Sequence, residues 1–209
     1  MESHNLQGLS FSQACVKRGF DILFSCLGIV LAGPVILAAS VAAWIDTGKN
    51  GFFLQDRVGR EGRHFKVIKI RTMRDAKETG TPATNVTTAS DPRITRLGRL
   101  LRRYKIDELP QLVNVMLGTM SFVGPRPDVV GFVDQLTGED RLVLTVRPGI
   151  TGPASLKYKN EEELLATQVD PESYNREVIY PDKVRLNLEY VRNYRLVDDL
   201  RYVLRTLIG

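Results

Sequence analysis

Residues 22–45 read ILFSCLGIVLAGPVILAASVAAWI, a run without a single charge. Roughly 20 apolar residues in a helix cross a hydrocarbon core, so this stretch is long enough for a membrane helix. Gly33-Pro34 falls near its middle. Proline removes one backbone hydrogen bond and crowds the preceding turn, which predicts a kink or a break at that point. Lys17 and Arg18 flank one end of the run, and Lys49, Arg57 and Arg60 follow the other. Positive charge on both flanks draws both ends toward the cytoplasm. A re-entrant helix, broken at Gly33-Pro34 and leaving by the side it entered, satisfies both observations, with Trp44 as an interfacial anchor. A kinked single span is the alternative. The run is too long for the apolar core of a signal peptide, and no small-residue cleavage site follows Trp44.

Working outward, the apolar run divides the chain into residues 1–20, a cytoplasmic or interfacial segment, residues 21–46, the membrane helix, and residues 47–209, a cytoplasm-facing domain. With 209 residues, 43% of them hydrophobic and 25% charged, the chain can build a real core, which argues against disorder. A formal net charge of +5 calls for a negatively charged partner: nucleic acid, anionic lipid or a phosphorylated small molecule. Cys15 and Cys26 form no metal-type cluster, and a reducing compartment fits them.

Beyond the apolar run, Phe52-Phe53-Leu54, a turn at Gly59–Gly62 and the alternating Phe65, Val67, Ile68 and Ile70 predict a β-hairpin. Its polar positions are basic (Arg57, Arg60, Arg63, Lys66, Lys69 and Arg71), and most such side chains simply face water. The Thr-rich stretch 78–92 has no periodicity and is expected to be a loop, placed where a lid would be. Leu97, Leu100 and Leu101 recur at helical spacing between arginines, and LPQLVNVML is a second helix, ended by Gly118. GPRPD at 124–128 and RPGITGP at 147–153 are proline-fixed extended turns. Leu196, Leu200, Val203, Leu204 and Leu207 mark the apolar face of the last of two amphipathic helices; such a helix more often packs on a core than on lipid, but a basic one beside a membrane segment can lie at the interface. The expected fold class is α+β: a mostly helical small domain with a short hairpin, anchored by the membrane segment.

Between the two middle helices lies KIDELP, with the adjacent carboxylates Asp107 and Glu108. Asp107 can be a helix N-cap, with Pro110 tolerated in the first turn. The same pair can also be a reactive centre. Cationic residues gather around it from the hairpin, the preceding helix, the Pro-Arg-Pro turn and the Lys-Tyr-Lys stretch at 157–159. Several fixed cations suit a diphosphate, and a carboxylate tolerates the same ligand when Mg²⁺ bridges them. One carboxylate can then attack phosphorus while its neighbour holds the metal.

FKVIKIRTM, SDPRITRLGRLLRRYKIDELPQLVNVMLGTMSFVGPRPD and VRPGITG, taken in order, closely resemble the bacterial sugar transferase family, the small monotopic polyprenyl-phosphate phosphoglycosyl transferases. The resemblance runs from about Val16 to Gly152. It implies transfer of a phosphosugar from a UDP-sugar to a polyprenyl phosphate such as undecaprenyl phosphate, releasing UMP, through an aspartyl-phosphosugar intermediate. Asp107 would be the nucleophile and Glu108 the Mg²⁺ ligand. Lys69, Arg102 and Arg126 would hold phosphate oxygens or position the pair. The family also implies a re-entrant helix broken near a proline, here at Gly33 and Pro34, on the cytoplasmic face of the bacterial inner membrane. The implied partners are the UDP-sugar, the lipid phosphate and membrane lipids, without nucleic acid; homo-oligomerisation is left open.

Two positions depart from the family's pattern. Gly118-Thr119-Met120-Ser121 stands where many relatives carry Gly-Asp-Met-Ser, and Lys159 falls where many carry a nucleotide-holding arginine. Lysine lacks the bidentate fork of arginine. Without a multi-span N-terminal region, the chain reads as a minimal catalytic unit. The competing reading is a membrane-tethered basic module that binds nucleic acid or anionic lipid and does no chemistry.

Overall fold

The computed structural model describes residues 8–75, 91–128 and 136–208. Most of the Thr-rich stretch lies outside the described residues.

The chain opens with helix α1, Phe11–Thr47, capped by Ser10, whose side chain accepts from the Gln13 amide while the Gln13 side chain accepts from Ser10 N–H. The expected break is absent from the backbone: helical structure runs unbroken through Gly33, with Pro34 inside it. Pro34 lies on the exposed side of α1, and the carbonyl it crowds belongs to Val30, also exposed. An outward-facing carbonyl can tilt away from the axis, so one missing hydrogen bond bends a helix without ending it.

One stripe of α1 is buried: Lys17, Asp21, Ser25, Ile36, Ser40, Ala43 and Thr47, at three- and four-residue intervals on either side of Gly28 and Ala32. The stripe is small or polar, while Leu23, Leu27, Val30, Leu31, Leu37, Trp44 and Ile45 on the rest of the surface stay exposed. The amphipathic sense of a soluble helix is therefore inverted. Lys17 and Asp21 find partners in the domain, whereas Ser25, Ser40 and Thr47 donate to carbonyls of α1 itself, of Ile22, Leu37 and Ala43. Lys17 Nζ lies 2.5 Å from Asp199 Oδ2, and Asp21 Oδ1 accepts from Ser121 Oγ and the Phe122 amide, each at 3.0 Å. Near the other end, Ala43 packs with Ile70 and Leu101. Both ends of α1 thus touch the same body.

The expected hairpin forms from β1, Phe52–Val58, and β2, His64–Ile70, paired antiparallel with Leu54 opposite Ile68. Side chains alternate along a strand, so Lys69 shares a face with Val67. That face packs on Val115 and Met120, which carries the Lys69 side chain into the domain instead of into water. Helix α2, Arg96–Arg103, is capped by Thr95, whose hydroxyl accepts from the Gly98 amide at 2.8 Å. Helix α3, Gln111–Leu117, ends at Gly118 in the left-handed conformation, as expected.

Asn114 on α3 completes the docking of helix on hairpin. Its Oδ1 accepts from the Ile68 amide at 3.0 Å and its Nδ2 donates to Lys66 O at 2.8 Å, as a neighbouring strand's peptide would.

The two proline-fixed turns hold a pairing that their sequence does not announce. Strands β3, Ser121–Val123, and β4, Gly149–Thr151, run parallel, three residues each. A Cβ added to Gly149 would lie 2.2 Å from Gly124 N and 2.5 Å from Thr151 O, so only glycine allows the two backbones to meet. This crossing orients the Pro125–Asp128 loop. The remainder is helical: α4, Pro153–Lys157, α5, Glu161–Ala166, α6, Pro171–Tyr174, α7, Tyr180–Arg192, and α8, Leu196–Ile208, with a π-helical segment Asn175–Ile179 joining α6 to α7. Tyr190 and Val191 of α7 pack with Val123, Leu142 and Val146 in the main core. Of the residues expected to form an apolar face on α8, Leu200, Leu204 and Leu207 are exposed, and Asp199 is the buried residue of the helix.

Gly149→Ala is expected to lower stability by about 3 kcal/mol, the upper range for overpacking against atoms that cannot move aside. Gly33→Ala, with nothing within 4 Å of the added carbon, should be neutral or stabilising. Thermal unfolding of both variants checks the contrast.

Candidate active site

Asp107 lies in a single 3₁₀ turn, Ile106–Glu108, entered through Lys105 at φ 56°. A lysine in left-handed backbone is uncommon and costs energy. The turn separates the acidic pair from α3, whose N-cap position is taken by Pro110. The N-cap expectation for Asp107 is therefore overturned: its side chain caps nothing, and Oδ1 is buried without a hydrogen-bond partner among the described residues. A buried carboxylate oxygen left open is expensive, and that expense calls for a ligand.

Glu108 has the opposite surroundings. Arg126 reaches it with both terminal nitrogens, Nη2 to Oε1 and Nη1 to Oε2, the latter at 3.4 Å. Lys69 Nζ stands 3.4 Å from Oε1. The hairpin thus delivers one cation and the loop after β3 the other, to a carboxylate that is 12% exposed. Burial alone would raise the Glu108 pKa, but the charges of Arg126 and Lys69 outweigh it and hold the carboxyl well below its usual range. For Asp107, burial and the charge of Glu108 act together and push the pKa up. Burial also lowers Lys69, against the pull of Glu108. Two adjacent carboxylates therefore differ sharply: one is locked as an anion, the other is loosely held and open to the cleft.

The other expected residues occupy the same cleft with different partners. Arg102 turns to Glu162 of α5, with Nη2 2.6 Å from Oε1, while its Nη1 is buried without a partner among the described residues. Lys159 is exposed on the cleft wall. Thr119, in place of the family's aspartate, hydrogen-bonds Asn114 and belongs to the α3 turn. Gly33 and Pro34 lie on α1, apart from the carboxylates' partners.

Several residues whose role the sequence does not reveal join the site. Arg57 sits beside Arg126 and Asp128, and burial together with the Arg126 charge brings its pKa down to about 10. Lys183 of α7 pairs with Glu161 at 2.7 Å, and its charge opposes the rise that burial produces in Asp128. The inward alternation of β1 signals Arg57; Lys183 gives no sign in sequence. The cleft has two kinds of wall. Arg71, Arg96, Arg99 and Arg103 contribute cationic surface, and Phe20, Phe24, Leu27 and Leu31 of α1 with Leu200 and Leu204 of α8 contribute apolar surface.

Among the described residues no group of three or more His, Cys, Asp and Glu converges as a metal cage. Mg²⁺ commonly binds through one or two carboxylates plus substrate phosphates; here Asp107 Oδ1 is buried and unpaired, whereas both Glu108 oxygens face Arg126 and Lys69.

Glu108→Gln leaves Lys69 and Arg126 without their counter-charge and should cost about 2 kcal/mol at pH 7 in chelator-containing buffer, below the full value for a buried pair because Arg126 keeps contact with solvent. The folded pKa of Glu108 is depressed, so its stabilisation is present above the unfolded value and fades as pH falls toward the folded one. The gap between the melting curves of wild type and variant should accordingly begin to narrow only below about pH 4, near the unfolded value, and keep narrowing as the pH falls further.

The family model described as "Bacterial sugar transferase" matches residues 12–209. An "Exopolysaccharide production protein PSS" of Rhizobium leguminosarum bv. phaseoli is 35% identical over 201 residues, covering 93% of this chain and 94% of that protein. A "UDP-N-acetylgalactosamine-undecaprenyl-phosphate N-acetylgalactosaminephosphotransferase" of Aeromonas hydrophila is 33% identical, covering 93% of this chain and 43% of the relative. A "UDP-glucose:undecaprenyl-phosphate glucose-1-phosphate transferase" of Escherichia coli is 34% identical, over 95% and 41% respectively. The chain therefore spans less than half the length of the last two and nearly all of the first. With the family model covering almost every residue and the acidic pair set between basic walls, the chain belongs to the bacterial sugar transferase family.

Proposed function

We propose that the protein is a phosphoglycosyl transferase that moves a phosphosugar from a UDP-sugar to a polyprenyl phosphate, undecaprenyl phosphate being the lipid named for two of its relatives. The observation that carries this reading is the asymmetry of the acidic pair: Asp107 has an open, buried oxygen, and Glu108 beside it is neutralised by Lys69 and Arg126.

An oxygen of the Asp107 carboxylate attacks the phosphorus that bears the sugar. An Asp107–phosphorus bond forms, the bond to the UMP oxygen breaks, and UMP leaves. An oxygen of the lipid phosphate then attacks the same phosphorus, the bond to Asp107 breaks, and the carboxylate returns to its starting state. Lys69, Arg126 and the half-paired Arg102 supply fixed positive charge to the phosphate oxygens in both steps. Glu108 would hold Mg²⁺ by giving up a contact to Lys69 or Arg126, and the ion would neutralise part of the diphosphate charge. Lys159, on the rim, is placed to contribute a point charge toward the nucleotide.

For the membrane arrangement the supporting feature is α1. At 1.5 Å per residue its 37 residues extend about 55 Å, more than a bilayer core, yet both ends pack on one domain. A straight crossing would separate those ends by the membrane. The contacts support a helix that dips into the bilayer from the cytoplasmic face, with α8 lying at the interface beside it. The catalytic carboxylates then sit at the level of lipid headgroups, where a polyprenyl phosphate presents its own.

Incubation with UDP-sugar labelled in the sugar and Mg²⁺, without lipid, should leave label on the protein and release one equivalent of UMP. Asp107→Asn should abolish both, with at least a thousandfold loss of turnover, roughly the loss when a covalent nucleophile is removed. Label retained by Asp107→Asn would remove the nucleophile assignment. For topology, single cysteines near the N-terminus and just after Lys49, in a Cys15→Ser, Cys26→Ser background, should both react only from the cytoplasmic side. Reaction of the N-terminal one from outside intact cells would establish a crossing.

A further inference from the structure

Phosphoryl transfer leaves some buried polar groups of the cleft unused. Asn187 of α7 is 7% exposed, and its Oδ1 has no hydrogen-bond donor among the described residues. Ser155 Oγ of α4 is buried and unpartnered in the same way, and both residues line the cleft. A buried polar atom without a partner is costly, and a native protein keeps few of them. Two on one cleft wall indicate a ligand that brings its own hydrogen bonds.

The position of Asn187 relative to the carboxylates is set by a chain of contacts, and Ser155 lies on α4, which packs against α7. Arg126 grips Glu108, and Asp128 lies two residues further along the same loop. Lys183 neighbours Asp128 and is paired with Glu161. Asn187 follows Lys183 by four residues on α7 and so shares its face. Asn187, Lys183, Asp128 and Arg126 also line one further small cavity together. The polar groups thus lead from the phosphate-holding arginine along one wall of the cleft.

We propose that Asn187 and Ser155 form the subsite for the glycosyl group of the nucleotide sugar, Asn187 Oδ1 accepting from one sugar hydroxyl and the Ser155 hydroxyl exchanging a hydrogen bond with another. This rests on the function proposed above and adds the residues that read the sugar. The donor count favours the sugar over the base. Uracil offers one ring N–H, which cannot serve both Asn187 Oδ1 and the nearby Asp128 carboxylate. A hexose offers several hydroxyls, each able to donate and to accept. A site built around such hydroxyls discriminates strongly against sugars that lack or invert one of them.

The test compares UDP-sugar with UDP, which carries the same base, ribose and diphosphate but lacks the transferred glycosyl group, on the detergent-solubilised full chain. With the UDP-sugar that wild type turns over best, Asn187→Ala and Ser155→Ala should each raise KM about tenfold, the loss of one hydrogen bond, while inhibition by UDP stays within about twofold of wild type. Asn187→Leu replaces an unpaired oxygen by carbon and should melt no lower than wild type while showing the same loss toward UDP-sugar. Parallel weakening of UDP and UDP-sugar, unchanged KM in both variants, or a large fall in the melting temperature of Asn187→Leu would each overturn the subsite. Failure of wild type to release UMP from any UDP-sugar would instead overturn the function on which it rests.

Discussion

Glu108 cannot remain charged in the cleft unless two cations reach it from different parts of the chain. Lys69 lies 39 residues before it and Arg126 18 residues after it. The first requires β2 to turn its Val67 face inward against α3. The second requires the loop after β3 to be held where Gly124, Gly149 and Gly152 let the backbones touch. Hairpin, helix and parallel strand pair are thus three supports of one ion triad. Because that triad absorbs the charge of Glu108, Asp107 beside it keeps an oxygen free for an incoming group. Had both carboxylates been equally compensated, neither would be available; had neither been, their mutual repulsion would favour protonation of one.

The membrane-type helix is attached with equal specificity. On a helix whose remaining surface is apolar, hydrophobic contact alone would not select one face, and Lys17 and Asp21 do so by finding buried partners elsewhere in the chain. Asp199 serves as acceptor for Lys17, for Tyr190 at 2.8 Å and for Tyr194 at 3.3 Å, so the first third of α1 is joined to the last two helices through one carboxylate. Arg18 adds hydrogen bonds to the Val115 and Met116 carbonyls at 2.6 and 2.7 Å, tying α1 to the C-terminus of the helix that follows the acidic pair. A favourable charge at that helix end adds to the two hydrogen bonds.

Much of this was legible in the residues and some was not. The hairpin, α2 and α3 follow from alternation, helical spacing and a terminating glycine, because each depends on neighbours in sequence. The parallel β3–β4 pair did not, since three-residue strands carry no periodicity and their pairing joins segments far apart. Asp107 looked like an N-cap because an acidic residue before a proline and an apolar run is the usual signal; the left-handed Lys105 that separates it from α3 leaves no trace in residue type. Lys17 read as a flanking charge for a membrane segment, and only the fold reveals the aspartate that buries it. Among the site residues, Lys69, Arg126 and Glu108 come together, whereas Arg102 is shared with Glu162 and Lys159 stays at the rim.

A two-stranded hairpin ordinarily presents two open rows of peptide groups, each able to recruit a strand from another molecule. Here Asn114 occupies the outer row of β2 at Ile68 and Lys66, and the Val58 amide of β1 donates to the Asp128 carbonyl at 3.2 Å. One side-chain amide and one loop carbonyl therefore blunt both borders of the sheet. On the membrane placement proposed above, copies would meet in two dimensions, and this blunting would guard against strand exchange between molecules with the same residue that seats Lys69 beside Glu108.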